Sequence, residues 1–305
     1  MTDPTPGNAH QLPPLRDLGL DLLWVPRWRR ALSLASPFAW CGAYFFFASN
    51  GNWLAAVLSL VALSFVTYGS TSHDLVHRNL GLPRRLNDVL LFVIEWMVMR
   101  SGHAYQAAHL HPHARFPHDD DVESTAARRS WLGALAEGPT FQFRLWLWAL
   151  RAAPKARAWI VAEGIACGLL LGAAAALAPV TIIPLAYVVL LIAGAWVIPL
   201  MTSYLTHIPE GDGELFQTRV FRGAVIQTLA FGHLYHLEHH LYPAVPHHNW
   251  ARLATRLDPH FERVGVEPVR IGFVARQVRT HAAEVISAET SEPWQPDLRH
   301  RARNN

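Results

Sequence analysis

Four apolar stretches dominate this sequence, at roughly 31–49, 53–71, 159–180 and 182–204. Each approaches the ~20 helical residues that a bilayer's hydrocarbon core requires. Only three residues, Asn50–Asn52, separate the first two, and a few residues near Pro179–Thr181 separate the last two. Links that short force each pair into an antiparallel helical hairpin. The expected fold is therefore an all-α integral membrane protein of two transmembrane hairpins, four spans in all, with a helical cap on one side. Charge placement supports this arrangement. All 26 Lys and Arg lie in residues 1–30, 72–158 and 207–305, and the spans and hairpin tips hold none. The positive-inside rule then places both termini and the middle segment in the cytoplasm. Residues 1–30 read as a cytoplasmic N-terminal segment, 31–265 as the membrane domain and 266–305 as a cytoplasmic C-terminal segment.

Two shorter apolar segments interrupt the middle block. Residues 89–99, with Glu95, are too short to span and predict a buried or re-entrant helix. Residues 141–150, rich in Trp and Phe with Arg144 and Arg151 nearby, predict an interfacial amphipathic helix or an aromatic stripe in the cap. Glu163 is the one acid inside a proposed span, read either as paired at the interface or as a carboxylate lining a cavity.

The composition excludes several classes. Charged residues make up 16% of the chain and hydrophobic ones 51%, which rules out disorder. Two cysteines, Cys41 and Cys167, both in apolar runs, give no disulfide framework or iron–sulfur ligand set. A net charge of +3 gives no argument for nucleic acid. No Gly-x-Gly-x-x-Gly fingerprint for a dinucleotide is present.

Histidine is the abundant residue, with 18 copies, all outside the spans on the basic side. Three clusters hold most of the informative ones. His73 and His77 follow the second span at i, i+4 spacing, which puts both imidazoles on one helical face. His109, His111 and His113 form the second cluster, with His109 and His113 sharing a face. His236, His239 and His240 follow the fourth span. Even-numbered spans return the chain to one side, so all three clusters can converge at one depth. Many neutral nitrogen donors suit zinc, iron, copper or nickel rather than magnesium or calcium. Their number exceeds the four ligands of one structural zinc and points to two ions.

The three clusters resemble the histidine boxes of the membrane fatty acid desaturase superfamily, which includes acyl-lipid desaturases and carotenoid hydroxylases. The third is the most specific: Tyr235, His236, Glu238, His239 and His240, followed by Pro243 and Pro246. The resemblance covers roughly residues 30–265. It implies a non-haem di-iron centre, O₂ as co-substrate and oxidation of a C–H bond in a long-chain lipid. It implies ligand roles for His73, His77, His109, His113, His236, His239 and His240, and for His207 after the fourth span. It also implies an external electron donor of ferredoxin or cytochrome type, for which Arg84, Arg85, Arg128 and Arg129 offer a basic docking face. Fatty-acyl desaturation is the first reading, carotenoid ring hydroxylation the second, and a catalytically degenerate scaffold or metal-binding protein a remote third.

Box two departs from the usual His-x-x-His-His, because Pro112 stands where the first of the paired histidines belongs. Proline biases the residue before it away from helical angles, so His111 is expected to swing toward the metals. Asp74, His233 and Asp120 are candidates to orient ligand imidazoles from behind.

Overall fold

A computed structural model describes residues 12–111, 123, 125–211, 213, 215–223 and 232–271. His113 and Asp120 lie outside the described residues. The architecture is helical. The four expected spans are present as long apolar helices at Leu20–Ser49, Trp53–His77, Arg157–Leu177 and Ile183–Tyr204. They give helix α1 (Arg27–Ser49), α2 (Trp53–Val66), α6 (Arg157–Leu177) and α7 (Ile183–Gly194). The chain is thus a multi-pass membrane protein.

The first hairpin turns where the sequence places its polar link. Gly51 takes a positive φ of 74°, and the Asn52 side chain accepts from Ala55 N at 3.2 Å, capping α2. The hairpin is fastened inside as well, where Thr71 Oγ1 donates to Ser33 O at 2.9 Å. α2 then leaves regular geometry: Thr67–Thr71 form a π turn before the helix resumes over Ser72–His77. The fourth span also ends in a π turn, at Leu200–Tyr204, beyond α7 and a tight 3-10 turn at Ala195–Val197. Both wide turns sit just upstream of a histidine, His73 and His207. Each re-aims the helix end that carries it, as π turns at functional sites do.

Between the hairpins run α3 (Arg84–Met97), α4 (Gly102–Leu110) and α5 (Trp131–Ala152). The α3–α4 pair is re-entrant. Trp96 Nε1 donates to Ala166 O at 3.0 Å, and Tyr187 Oη donates to Met97 O at 2.8 Å. Val98, at the turn, joins one buried cluster with Tyr44, Ala174 and Tyr187, near the end of the spans remote from the histidines. Charge counting had set Arg100 on the basic face, but the structure buries it at this turn, 5% exposed. Its guanidinium pairs with Glu95 at 2.7 Å and 3.1 Å. Neutralisation by a bidentate partner is what allows a cation there.

Glu163 is likewise fully buried. It accepts from Ser101 Oγ at 2.5 Å and from His103 N at 3.2 Å, and lies 2.7 Å from His103 Nδ1. This carboxylate therefore caps the N-terminus of α4 and holds the box-two helix onto α6, rather than sitting at the interface. The aromatic segment lies in α5 and serves both expectations: Phe141 and Leu145 are buried, whereas Phe143 faces out.

The cap is closed by α8 (His236–Leu241) and α9 (Trp250–Val264). Residues from the N-terminal segment belong to it. Leu18 and Leu22 pack with Leu253, Leu257 and Phe261, and Asn249 Nδ2 donates to Leu22 O at 2.8 Å and Trp24 O at 3.0 Å. Two short parallel strands, Phe221–Arg222 and Val269–Arg270, are the sheet among the described residues.

α5 packs against the end of the fourth span at Gly138, where an added Cβ would lie 2.0 Å from Trp196 O. Because that obstacle is backbone, Gly138→Ala is expected to cost about 1–3 kcal/mol or more and to lower the thermal midpoint in detergent. Gly168→Ala, with open space around its Cβ, is the control and leaves the midpoint unchanged or slightly raised.

Candidate metal centre

Seven of the sequence-predicted histidines gather into two groups. His73, His77, His109 and His239 form the first, and His207, His236 and His240 the second. Within each group the ring nitrogens lie within 4.8 Å of one another. In the first, His73 Nε2 and His239 Nε2 are 3.0 Å apart, and His109 Nε2 and His239 Nε2 3.4 Å. In the second, His207 Nε2 and His236 Nε2 are 3.2 Å apart, and His236 Nε2 and His240 Nε2 3.0 Å. Metal–nitrogen bonds of about 2.0–2.1 Å place ligands about 3.0–3.4 Å apart at angles from square to tetrahedral. The observed spacings fit that range. Each group could hold one ion, and the donors are all imidazole, which suits iron, zinc, copper or nickel.

Local hydrogen bonds set the ring orientations. His207 Nδ1 lies 3.0 Å from Ser203 O. A carbonyl only accepts, so Nδ1 carries the proton and Nε2 presents its lone pair to the group. Burial pushes the His207 pKa down to about 4, which keeps the ring neutral at ordinary pH. His109 Nδ1 lies 3.1 Å from Glu123 Oε2, while Tyr68 Oη donates to Glu123 Oε1 at 2.8 Å. Burial pushes the Glu123 carboxyl up, but His109, Tyr68 and His207 outweigh it and hold the carboxylate below its usual range. Such a carboxylate fixes the tautomer and raises the basicity of the ring it holds.

Both groups border one cavity, with Tyr68, Gly69, Tyr105, Thr202, His233 and Trp250 also in its wall. Trp250 closes one side, with its ring 5.0 Å from His73 and 5.2 Å from His239.

The remaining sequence candidates are placed as follows. His111 does not swing. It keeps helical angles (φ −69°, ψ −48°) despite Pro112, and it packs edge-on against Trp148 at 5.2 Å. Two residues after His109 and still at helical angles, it faces nearly the opposite way, and it joins neither group. Asp74 is buried and holds His247, accepting from its backbone N at 3.0 Å with Nδ1 at 2.5 Å. His247 drew no attention as a sequence. His233 borders the cavity, and its Nε2 lies 3.4 Å from Phe65 O. Its close approach to α2 requires Gly69, where a Cβ would fall 1.9 Å from the His233 ring. Glu238, flanked by ligand candidates, turns to Arg222 Nη1 at 2.6 Å and so ties α8 to the first strand. Glu123 belongs to the acidic run after box two, but nothing in the sequence distinguishes it from Asp119, Asp120 and Asp121.

Fold and site together define a multi-pass membrane protein with two all-histidine groups, each able to hold a metal ion, on one side of its spans. Residues 51–270 match the family model of the fatty acid desaturases, and the chain belongs to that family. No curated protein matches it. Members of the family are lipid desaturase- and hydroxylase-type oxidoreductases, generally iron-dependent.

Two variants separate the groups. Glu123→Ala is expected to weaken metal binding at the His73/His77/His109/His239 group by about 10–100-fold, while His207→Ala removes binding at the other. Competition titrations against a chelator should show two binding steps in the wild type and a selective loss in each variant.

Proposed function

We propose that the protein is an O₂-dependent, di-iron fatty-acyl desaturase of the membrane, fed with electrons by a separate ferredoxin- or cytochrome-type donor. The observation that carries this reading is the pairing of two histidine groups on one cavity with an adjoining apolar cavity between the spans. That second cavity is lined mainly by apolar side chains, among them Phe65, Val98, Leu191 and Ile198. It shares Tyr68, Thr202 and His233 with the histidine-lined one. An apolar lining of this kind suits the hydrocarbon chain of a lipid, which would reach the histidine groups past these shared residues.

His73, His77, His109 and His239 would hold one iron, and His207, His236 and His240 the other. The iron pair supplies O₂ activation and removal of hydrogen from an unactivated CH₂. The rest is done by this chain's own residues. Glu123 keeps the His109 proton on Nδ1, and Ser203 O does the same for His207. Trp250 shields His73 and His239 from water. Tyr68 stands between the two cavities, stacked on Tyr105 with centroids 4.8 Å apart, and so fixes where the chain enters. Apolar walls keep the site dry and hold one carbon near the oxidant. The basic surface and the cytoplasmic placement of the site follow from the charge pattern and belong to this proposal.

The test is lipid profiling of cells that express the protein. New unsaturated acyl chains are expected, absent with His239→Ala, and carotenoids remain unchanged in a pigment-producing host. Altered carotenoids with unchanged acyl chains would overturn the acyl reading in favour of ring hydroxylation.

A further inference from the structure

Arg100 stands in the wall of the apolar cavity with part of its hydrogen-bonding capacity unspent. A guanidinium has five N–H donors. Nε donates to Glu95 Oε2 at 2.7 Å, and Nη2 donates to Glu95 Oε1 at 3.1 Å and Thr67 Oγ1 at 2.9 Å. These contacts use three donors. Nη1 carries two more, and no partner for it occurs among the described residues. The side chain is 4% exposed, yet it borders the cavity. It also lies over the Tyr68 ring at 5.1 Å from the centroid, so it sits one aromatic ring away from the wall of the histidine-lined cavity. Holding the re-entrant turn requires only the Glu95 and Thr67 bonds. The remaining edge faces a space otherwise suited to hydrocarbon.

From this geometry we infer that Arg100 is a specificity-determining residue: it binds a neutral oxygen, hydroxyl or carbonyl, carried by the lipid chain on the portion lodged between the spans. The inference rests on the reading of this cavity as the lipid channel. A donor pair that faces a mainly apolar cavity without an acceptor is costly, and an acceptor on the ligand removes that cost. The oxygen is neutral, not a carboxylate, because Glu95 already balances the guanidinium. A second anion would leave a net charge buried in the membrane. It is not the oxygen of a headgroup ester, because the turn carrying Arg100 reaches the buried cluster around Tyr44, Ala174 and Tyr187. The Arg100 carbonyl itself accepts from Cys167 Sγ, in the middle of α6.

The test is equilibrium binding, in nanodiscs and without reductant, of paired fatty-acid methyl esters from decanoyl to eicosanoyl, each with and without an ω-hydroxyl. The variants are Arg100→Met/Glu95→Met, which removes the ion pair as a unit and avoids a lone buried carboxylate, and Arg100→Lys. Lysine has three donors, all taken by Glu95 and Thr67. At the best-fitting length, the wild type is expected to favour the hydroxylated ester by about 10–100-fold relative to the ratio in either variant. Comparing ratios cancels the difference in membrane partitioning. The readout is this ratio and not the absolute affinity for the plain ester, because each variant also alters the cavity wall and the joint at the re-entrant turn. The same ratio in wild type and variants overturns the inference and leaves the lipid channel standing, with water then the partner of Nη1. Binding of neither ester at any length overturns both.

Discussion

The structure depends on one constraint: seven imidazoles must present ring nitrogens to two points from four separate stretches of chain. The closest nitrogen pairs in the two groups stand 3.0–3.4 Å apart, as neighbours in the coordination shell of an ion do. They are also a demanding arrangement to hold, because neutral imidazoles brought together lone pair to lone pair have no mutual attraction. The surrounding fold supplies the holding. Hydrogen bonds behind His109 and His207 set their tautomers. Two π turns aim the ends of the second and fourth spans, and Trp250 covers the first group.

Buried ionic contacts do the same work at larger scale. Glu163 with His103 anchors the N-terminus of α4, whose other end presents His109. Arg100 with Glu95 closes the re-entrant turn between α3 and α4. Arg222 joins Glu238 to Asp258, tying the third box to α9. Each places a charged or polar group where hydrocarbon or packed core surrounds it, and each is tolerated because its partner is near. Their positions explain why so many titratable groups are buried in a chain whose spans are almost empty of charge. They are joints between the helices that carry histidines.

Much of the architecture was legible in the sequence, because hydrophobic length and one-sided charge are bulk properties. The four spans, their pairing and the gathering of His73, His77, His109, His207, His236, His239 and His240 follow from spacing and from the resemblance of the boxes. What was not legible depends on side-chain direction across long sequence separations. Asp74 was read as support for a ligand imidazole and instead holds His247, distant by 173 positions. His111 was expected to turn inward on the strength of Pro112. At the end of α4 it instead keeps helical angles and packs against Trp148, so local helical geometry outweighs the bias from the following proline. Glu123 was one acid among several, and only folding selects it. Arg100 stands one residue beyond the apolar segment 89–99 that marks the re-entrant helix, and nothing in the sequence shows that the turn buries this cation as well.

The central claim is that each histidine group holds one iron. The most direct measurement is Mössbauer and iron-edge X-ray absorption spectroscopy on the purified, iron-loaded protein, with iron counted per chain. The account predicts two iron atoms per chain in an all-nitrogen-and-oxygen shell, with the outer-shell scattering of imidazole rings and no sulfur. One iron per chain, or a protein that binds zinc and refuses iron, would contradict it.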